Sequence, residues 1–167
     1  MVNVIVVEDE PPILNAFAKM IEQTNKNFWV VGKALNGEDA LALIEALKPD
    51  VVFTDIKMPV MDGLTLIEKL SGLKPTPITV ILSGYQEFEY AKKALKFSVF
   101  DYLIKPMDKD ALKELLNNIY IKTCQLKLIM ETACLKMLIS CKTTVLSVNH
   151  SSQQAANMFC DAQYQCF

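Results

Sequence analysis

Four groups of residues stand where they could act together. Glu8-Asp9-Glu10 closes an apolar run at residues 2–7, and Asp55, followed by Ile56-Lys57-Met58-Pro59, closes another at 51–54. Ser83-Gly84 closes a third run at 78–82, and Lys105-Pro106 a fourth at 99–104. Bringing Glu8, Asp9 and Asp55 together is unfavourable without a cation. Mg²⁺ suits such a set, because it takes a few carboxylates, retains water and leaves positions for phosphate oxygens. Glycine-rich phosphate loops offer backbone N–H groups, whereas the first loop here offers negative charge. The expected phosphate is therefore one delivered onto a carboxylate, with a divalent ion and Lys105 neutralising it. Ser83 would hydrogen-bond one of its oxygens, and Gly84 would leave room for it.

The elements that position these groups alternate regularly. The run at 2–7 has strand length, and Pro11 and Pro12 then fall where a first helical turn tolerates them, ahead of Ile13, Leu14, Phe17, Met20 and Ile21 at helical spacing. Residues 28–35 are β-branched and aromatic and predict a second strand. Gly37 precedes a helix with Ala40, Leu41, Leu43, Ile44 and Leu47 on its buried face. The third strand covers 51–54, and after a turn at Asp62-Gly63 come Leu64, Ile67 and Leu70 of a third helix. The fourth strand covers 78–82, a fourth helix carries Phe88, Ala91, Ala94 and Leu95, and the fifth strand covers 99–104. From Ala111 the pattern is helical to about Ser140, with Leu112, Leu115, Leu116, Ile119, Leu126, Ile129, Ala133 and Met137 as a loose apolar stripe. Five βα units predict an α/β fold with a parallel sheet covered by helices on both faces. Runs apolar at every position suit interior parallel strands, and function in such folds lies beyond the strands' carboxyl ends.

Bulk properties exclude several classes. The 167 residues are 51% hydrophobic and 22% charged, which fits a globular chain and not a disordered one. A net charge of −2 advertises neither nucleic acid nor anionic membrane. All 17 basic residues are Lys, and the lack of Arg weakens direct DNA reading, so no direct DNA binding is expected from this chain. The opening apolar run is too short for a signal peptide or a membrane span, so a cytoplasmic location is expected. Cys124, Cys134, Cys141, Cys160 and Cys166 all lie late in the chain. They leave the first 123 residues free of disulfides, as in a reducing compartment. His150 with the late cysteines lacks tight Cys-x-x-Cys spacing, so zinc is disfavoured.

Five pieces then carry a resemblance: Val6-Val7-Glu8-Asp9-Glu10, Thr54-Asp55-Ile56-Lys57-Met58-Pro59, Met61-Asp62-Gly63-Leu64, Leu82-Ser83-Gly84-Tyr85, and Phe100-Asp101-Tyr102-Leu103-Ile104-Lys105-Pro106. In this order and spacing they resemble the receiver domain of two-component response regulators, over residues 1–122. The resemblance implies a flavodoxin-like doubly wound five-stranded sheet of order 2-1-3-4-5 with a C-terminal helical extension. It implies Asp55 as phosphoacceptor, and Glu8, Asp9, Asp55 and the Lys57 backbone carbonyl as the Mg²⁺ set, with Glu8 acting through water. It implies that Lys105 contacts the phosphoryl group, that its bond to Pro106 is cis, and that Ser83 and Tyr102 form a switch pair. A sensor histidine kinase is the implied donor. A homodimer is expected through the fourth-helix, fifth-strand and fifth-helix face or through the C-terminal helix.

The segment from Ser83 to Ala91 most resembles receivers of AraC-type transcriptional regulators, so control of transcription is expected through an output domain that this chain lacks. Residues 123–167 are expected to be a helical linker of unknown fold without a complete DNA-binding domain. Three other functions weigh less. A phosphatase with an Asp nucleophile wants a carboxylate two residues on, where Lys57 stands. An unphosphorylated receiver-like module would lack an acidic residue or the Lys. A flavin would meet the anionic first loop. The protein is expected to be no enzyme beyond phosphotransfer to itself and slow self-dephosphorylation, because Lys57 and Tyr85 flank the site and obstruct an attacking water.

Overall fold

The computed structural model describes residues 1–84 and 99–148, with side chains up to residue 132. The expected fourth helix, Tyr85, and His150 with the rest of the tail lie outside the described residues. The elements are β1 (Val2–Val7), α1 (Pro11–Thr24), β2 (Phe28–Ala34), α2 (Gly37–Leu47), β3 (Val51–Asp55), α3 (Gly63–Leu70), β4 (Ile78–Ser83), β5 (Asp101–Ile104) and α4 (Lys109–Val148).

The strands form one parallel sheet in the order β2-β1-β3-β4-β5, as the resemblance implied. Successive side chains of a strand point to opposite faces. Val4, Val6, Val51, Phe53, Val80 and Leu82 thus enter one core with Phe17 and Ile21 of α1 and Leu112, Leu116 and Ile119 of α4. Ile5, Val7 and Val52 enter a second core with Ala40 and Ile44 of α2 and Leu66 and Leu70 of α3. This two-faced burial explains why the runs in β1, β3 and β4 are apolar at consecutive positions. Each such side chain contributes about 1.5–3 kcal/mol on burial. An edge-on contact between Phe17 and Phe53, 5.4 Å between ring centroids, ties α1 to the centre of the sheet.

Local signals start the helices. Both prolines of α1 sit in its first turn, where a missing N–H is harmless. The Asn36 side chain accepts from the N–H groups of Glu38 and Asp39 and caps α2. Two elements differ from expectation by more than one residue. β5 begins at Asp101 instead of residue 99, and Phe100 leads into it by donating its N–H to the Thr79 carbonyl. α4 runs to Val148 and does not stop near Ser140, since no Gly or Pro occurs within it. The chain divides into two compact units, Met1–Thr123 and Cys124–Phe167. Among the described residues no helix is long and apolar enough to cross a membrane.

Candidate functional site

Register assembles the site. Val7 pairs with Thr54, Asp55 with Leu82, and Ser83 with Ile104. Parallel strands in this register must place the residues that follow β1 and β5, and those that end β3 and β4, on one rim. Glu8 and Asp9, Asp55, Ser83 and Lys105 occupy it.

One carboxylate oxygen each of Glu8, Asp9 and Asp55 lies within 4.8 Å of the others. The Lys105 ammonium donates to Glu8 Oε2 and to Asp55 Oδ2, the latter at 2.5 Å. Asp55 Oδ1 accepts the Ile56 N–H. Glu8 is only 2% exposed. Burial pushes its carboxyl above the ordinary value of 4.5 even though Lys105 works to lower it. The Lys105 ammonium, shared with Asp55, offsets the burial of Glu8 only in part. Burial likewise disfavours the charge on Lys105, but Asp55 and Glu8 outweigh it and hold that ammonium above its ordinary value.

The loop after β3 is fastened to the strand end. Gly63 donates its N–H to the Ile56 carbonyl at 2.9 Å. A Cβ at Gly63 would overlap the Asp55 carbonyl oxygen. Thr54 is fully buried, and its hydroxyl donates to that same oxygen at 2.9 Å. Asp62 Oδ1 caps α3 by accepting the Thr65 N–H at 2.7 Å. Sequence reasoning placed a turn at Asp62-Gly63 but missed the lock that Thr54 and Gly63 make on Asp55. The buried Thr beside an acidic strand end was the available signal.

The remaining expected residues fall as follows. Ser83 is buried at the end of β4, and its carbonyl accepts the Lys105 N–H at 2.8 Å. The Lys105–Pro106 peptide is cis. Tyr102 is half-buried beside the small cluster of Ile56, Ile67 and Ile81. Gly84 is exposed, and among the described residues, its chain neighbours aside, nothing lies within 4 Å of where a Cβ would stand. Lys57 is exposed on the loop. A groove of about 440 Å³ opens beside the rim, walled by Ile13, Phe17, Met20, Leu82 and Met107, with Glu8 and Lys105 along it.

A five-stranded parallel α/β fold with an acidic cluster and a lysine at its strand ends defines a class of signalling domain. The response regulator receiver domain model matches residues 4–117, and the chain belongs to that family. Over 109 residues it is 43% identical to the uncharacterized transcriptional regulatory protein YesN of Bacillus subtilis (strain 168), which covers 65% of this chain and 30% of that protein. Over 114 residues it is 37% identical to the positive alginate biosynthesis regulatory protein of Pseudomonas aeruginosa, covering 68% of this chain and 45% of that one. Among solved structures it is similar to the REC domain of AraT, a response regulator from Geobacillus stearothermophilus. That match has a TM-score of 0.70 and 36% identity, and it covers 75% of this chain and 98% of the other. The chain spans less than half the length of these two curated relatives.

Receiver domains bind Mg²⁺ at an acidic pocket. The donor set here fits that ion. It consists of hard carboxylate oxygens, and three carboxylates against one ammonium leave a net charge of −2 for a divalent cation to balance.

Proposed function

We propose that this domain accepts a phosphoryl group on Asp55 from the phosphohistidine of a sensor kinase and passes the change to an output module. The observation that carries this reading is the single ammonium of Lys105 bonded to both Glu8 and Asp55 at the rim. A carboxylate oxygen of Asp55 attacks phosphorus. The new O–P bond forms as the P–N bond to the donor imidazole breaks, and the electron pair leaves on that nitrogen. The Ile56 N–H holds Asp55 Oδ1 and orients the nucleophile. Lys105 shifts from Asp55 Oδ2 to an oxygen of the arriving phosphoryl group and neutralises its charge. Glu8, Asp9, Asp55 and the Lys57 carbonyl would hold Mg²⁺, which offsets the repulsion between the phosphoryl oxygens and the carboxylates.

Ser83 and Tyr102 then form the switch. The Ser83 hydroxyl moves to the phosphoryl group, and the Tyr102 ring fills the vacated space against Ile56 and Ile81. Gly84 beside Ser83 leaves room for the incoming phosphoryl group, and Pro106 follows Lys105 at the rim. Control of transcription is the output supported by the regulators to which the chain is similar. Self-association belongs to the same reading. One of its two expected faces includes the fourth helix, outside the described residues, while α4 exposes Ile121, Leu128, Ile129 and Met130. The proposed domains are the receiver at 1–122 and a linker at 123–167, acting in the cytoplasm. Incubation with acetyl phosphate and Mg²⁺ should label the wild-type chain and not Asp55→Ala. Equal labelling of the two would sink the proposal.

A further inference from the structure

The sequence joins Asn or Asp to a following glycine at two places, Asn36-Gly37 and Asp62-Gly63. Each pair starts a helix, with the Asn or Asp side chain as its cap. In each, the glycine N–H donates into the loop after β3: Gly37 to the Met61 carbonyl at 3.0 Å, and Gly63 to the Ile56 carbonyl at 2.9 Å. Asn before glycine is chemically labile, because a glycine nitrogen, with no Cβ beside it, can attack the preceding side-chain carbonyl. At Asn36 the fold both calls for that glycine and restrains it. A Cβ at Gly37 would stand 2.8 Å from the Met61 carbonyl oxygen, too close for a side chain. Asn36 Oδ1 accepts the N–H groups of Glu38 at 3.0 Å and Asp39 at 2.9 Å, and its Nδ2 donates to Asp39 Oδ2 at 2.8 Å. The Met61 carbonyl that holds Gly37 sits on a strained turn. Met61 donates its N–H to the Pro59 carbonyl at 2.8 Å, closing a three-residue turn centred on Val60. The Val60 φ of +67° is an outlier for a β-branched residue, because its Cβ crowds the following carbonyl. Opening of this loop relieves that strain and frees the Gly37 nitrogen.

We propose that Asn36 is a deamidation site kept closed by the loop after β3, so that its conversion to aspartate or isoaspartate records opening of that loop. The Gly37 nitrogen attacks Asn36 Cγ and gives up its proton. The bond from Cγ to the side-chain amide nitrogen breaks, and ammonia leaves with that proton. Water then opens the cyclic imide at either carbonyl, and nothing is oxidised or reduced. The closed structure blocks the first step, because the Gly37 N–H is committed to Met61 and Asn36 Oδ1 to the helix N–H groups. Opening of the imide at one carbonyl gives aspartate, which still caps α2. Opening at the other gives isoaspartate, whose extra main-chain methylene carries Gly37 off Met61 and leaves the loop unfastened on that side. The inference does not depend on Asp55 being the phosphoacceptor.

The test holds the full chain at mildly alkaline pH in buffer and in urea. Peptide mass spectrometry reads the conversion of Asn36, and amide hydrogen exchange reads the protection of Gly37. Conversion should run roughly thirtyfold slower in the folded chain, the combined effect of one backbone hydrogen bond and one helix cap, and Gly37 exchange should be slowed by a similar factor. Val60→Gly relieves the turn and keeps the loop closed for more of the time, so it should slow conversion in the folded chain roughly fivefold further. Equal rates in buffer and urea overturn the proposal, as does a chain that converts in neither. Slow conversion beside a Gly37 amide that exchanges freely overturns it too, because the cap alone would then be the restraint. A folded-state rate that Val60→Gly leaves unchanged or raises removes the loop as the gate.

Discussion

Replacing Gly63 with alanine sets two effects of opposite sign against each other. Gly63 is the first residue of α3, and in a helix alanine is favoured over glycine by up to about 1 kcal/mol. Propensity alone thus predicts a slightly more stable protein. The structure predicts the reverse, because the added Cβ overlaps the Asp55 carbonyl oxygen and would come within 3.1 Å of Thr54 Oγ1. Both are main-chain or buried atoms of β3 with little freedom to yield. Overpacking of this kind costs about 1–3 kcal/mol. Moving α3 aside would also stretch the Gly63 N–H bond to Ile56, a further loss of about 1 kcal/mol. The overlap wins, and Gly63→Ala should lose about 2–3 kcal/mol. In urea that lowers the midpoint by roughly 1–2 M at a typical slope for a small domain. Gly72→Ala, whose Cβ would meet only the Lys69 carbonyl at 3.5 Å, should change stability by less than about 0.5 kcal/mol. Urea unfolding of the two variants in parallel checks this. A Gly63→Ala protein as stable as wild type would refute the lock on Asp55.

Further outcomes follow from the same geometry. Lys105→Met leaves buried Glu8 without its partner and should destabilise the metal-free domain by about 2–4 kcal/mol, with part of the loss regained in saturating Mg²⁺; thermal melts in chelator and in Mg²⁺ would show it, and an unchanged Tm would contradict it. Val60→Gly removes a positive-φ penalty and should raise Tm by a few degrees, about 1 kcal/mol, where a lower Tm would show the turn to be unstrained. The Glu8 carboxyl is raised by burial, so the folded state holds this proton more tightly than the unfolded state does. Its contribution therefore falls as pH rises from about 4.5 through the raised value, and Glu8→Gln should flatten that part of the pH–stability curve in chelator. A curve identical to wild type would contradict the assignment.

Much of this architecture was legible because the interior strands leave an unambiguous mark. Val4 to Val7, Val51 to Phe53 and Val80 to Leu82 are apolar on both faces since each feeds two cores. Once those runs are parallel, the polar residues that end them must share a rim, and Glu8, Asp9, Asp55, Ser83 and Lys105 could be grouped without coordinates. Boundaries were harder. The end of α4 carries no Gly or Pro, so fading periodicity was a poor guide to where it stops. The start of β5 depends on where pairing with β4 begins, a non-local fact. The lock of Thr54 and Gly63 on Asp55 was hidden for the same reason, because it depends on how closely α3 returns to the strand. Nor does a valine announce a positive φ. The bonds at Pro59, Met61 and Gly37 impose it.

The most direct test of the central claim is the chemical identity of the phosphorylated residue. The chain would be treated with acetyl phosphate and Mg²⁺, the acyl phosphate trapped by borohydride reduction, and the peptides read by mass spectrometry. A single reduced site at Asp55, absent in chelator and absent after hydroxylamine treatment, is the predicted result. A phosphate stable to hydroxylamine, or a trapped site at any residue other than Asp55, would contradict it.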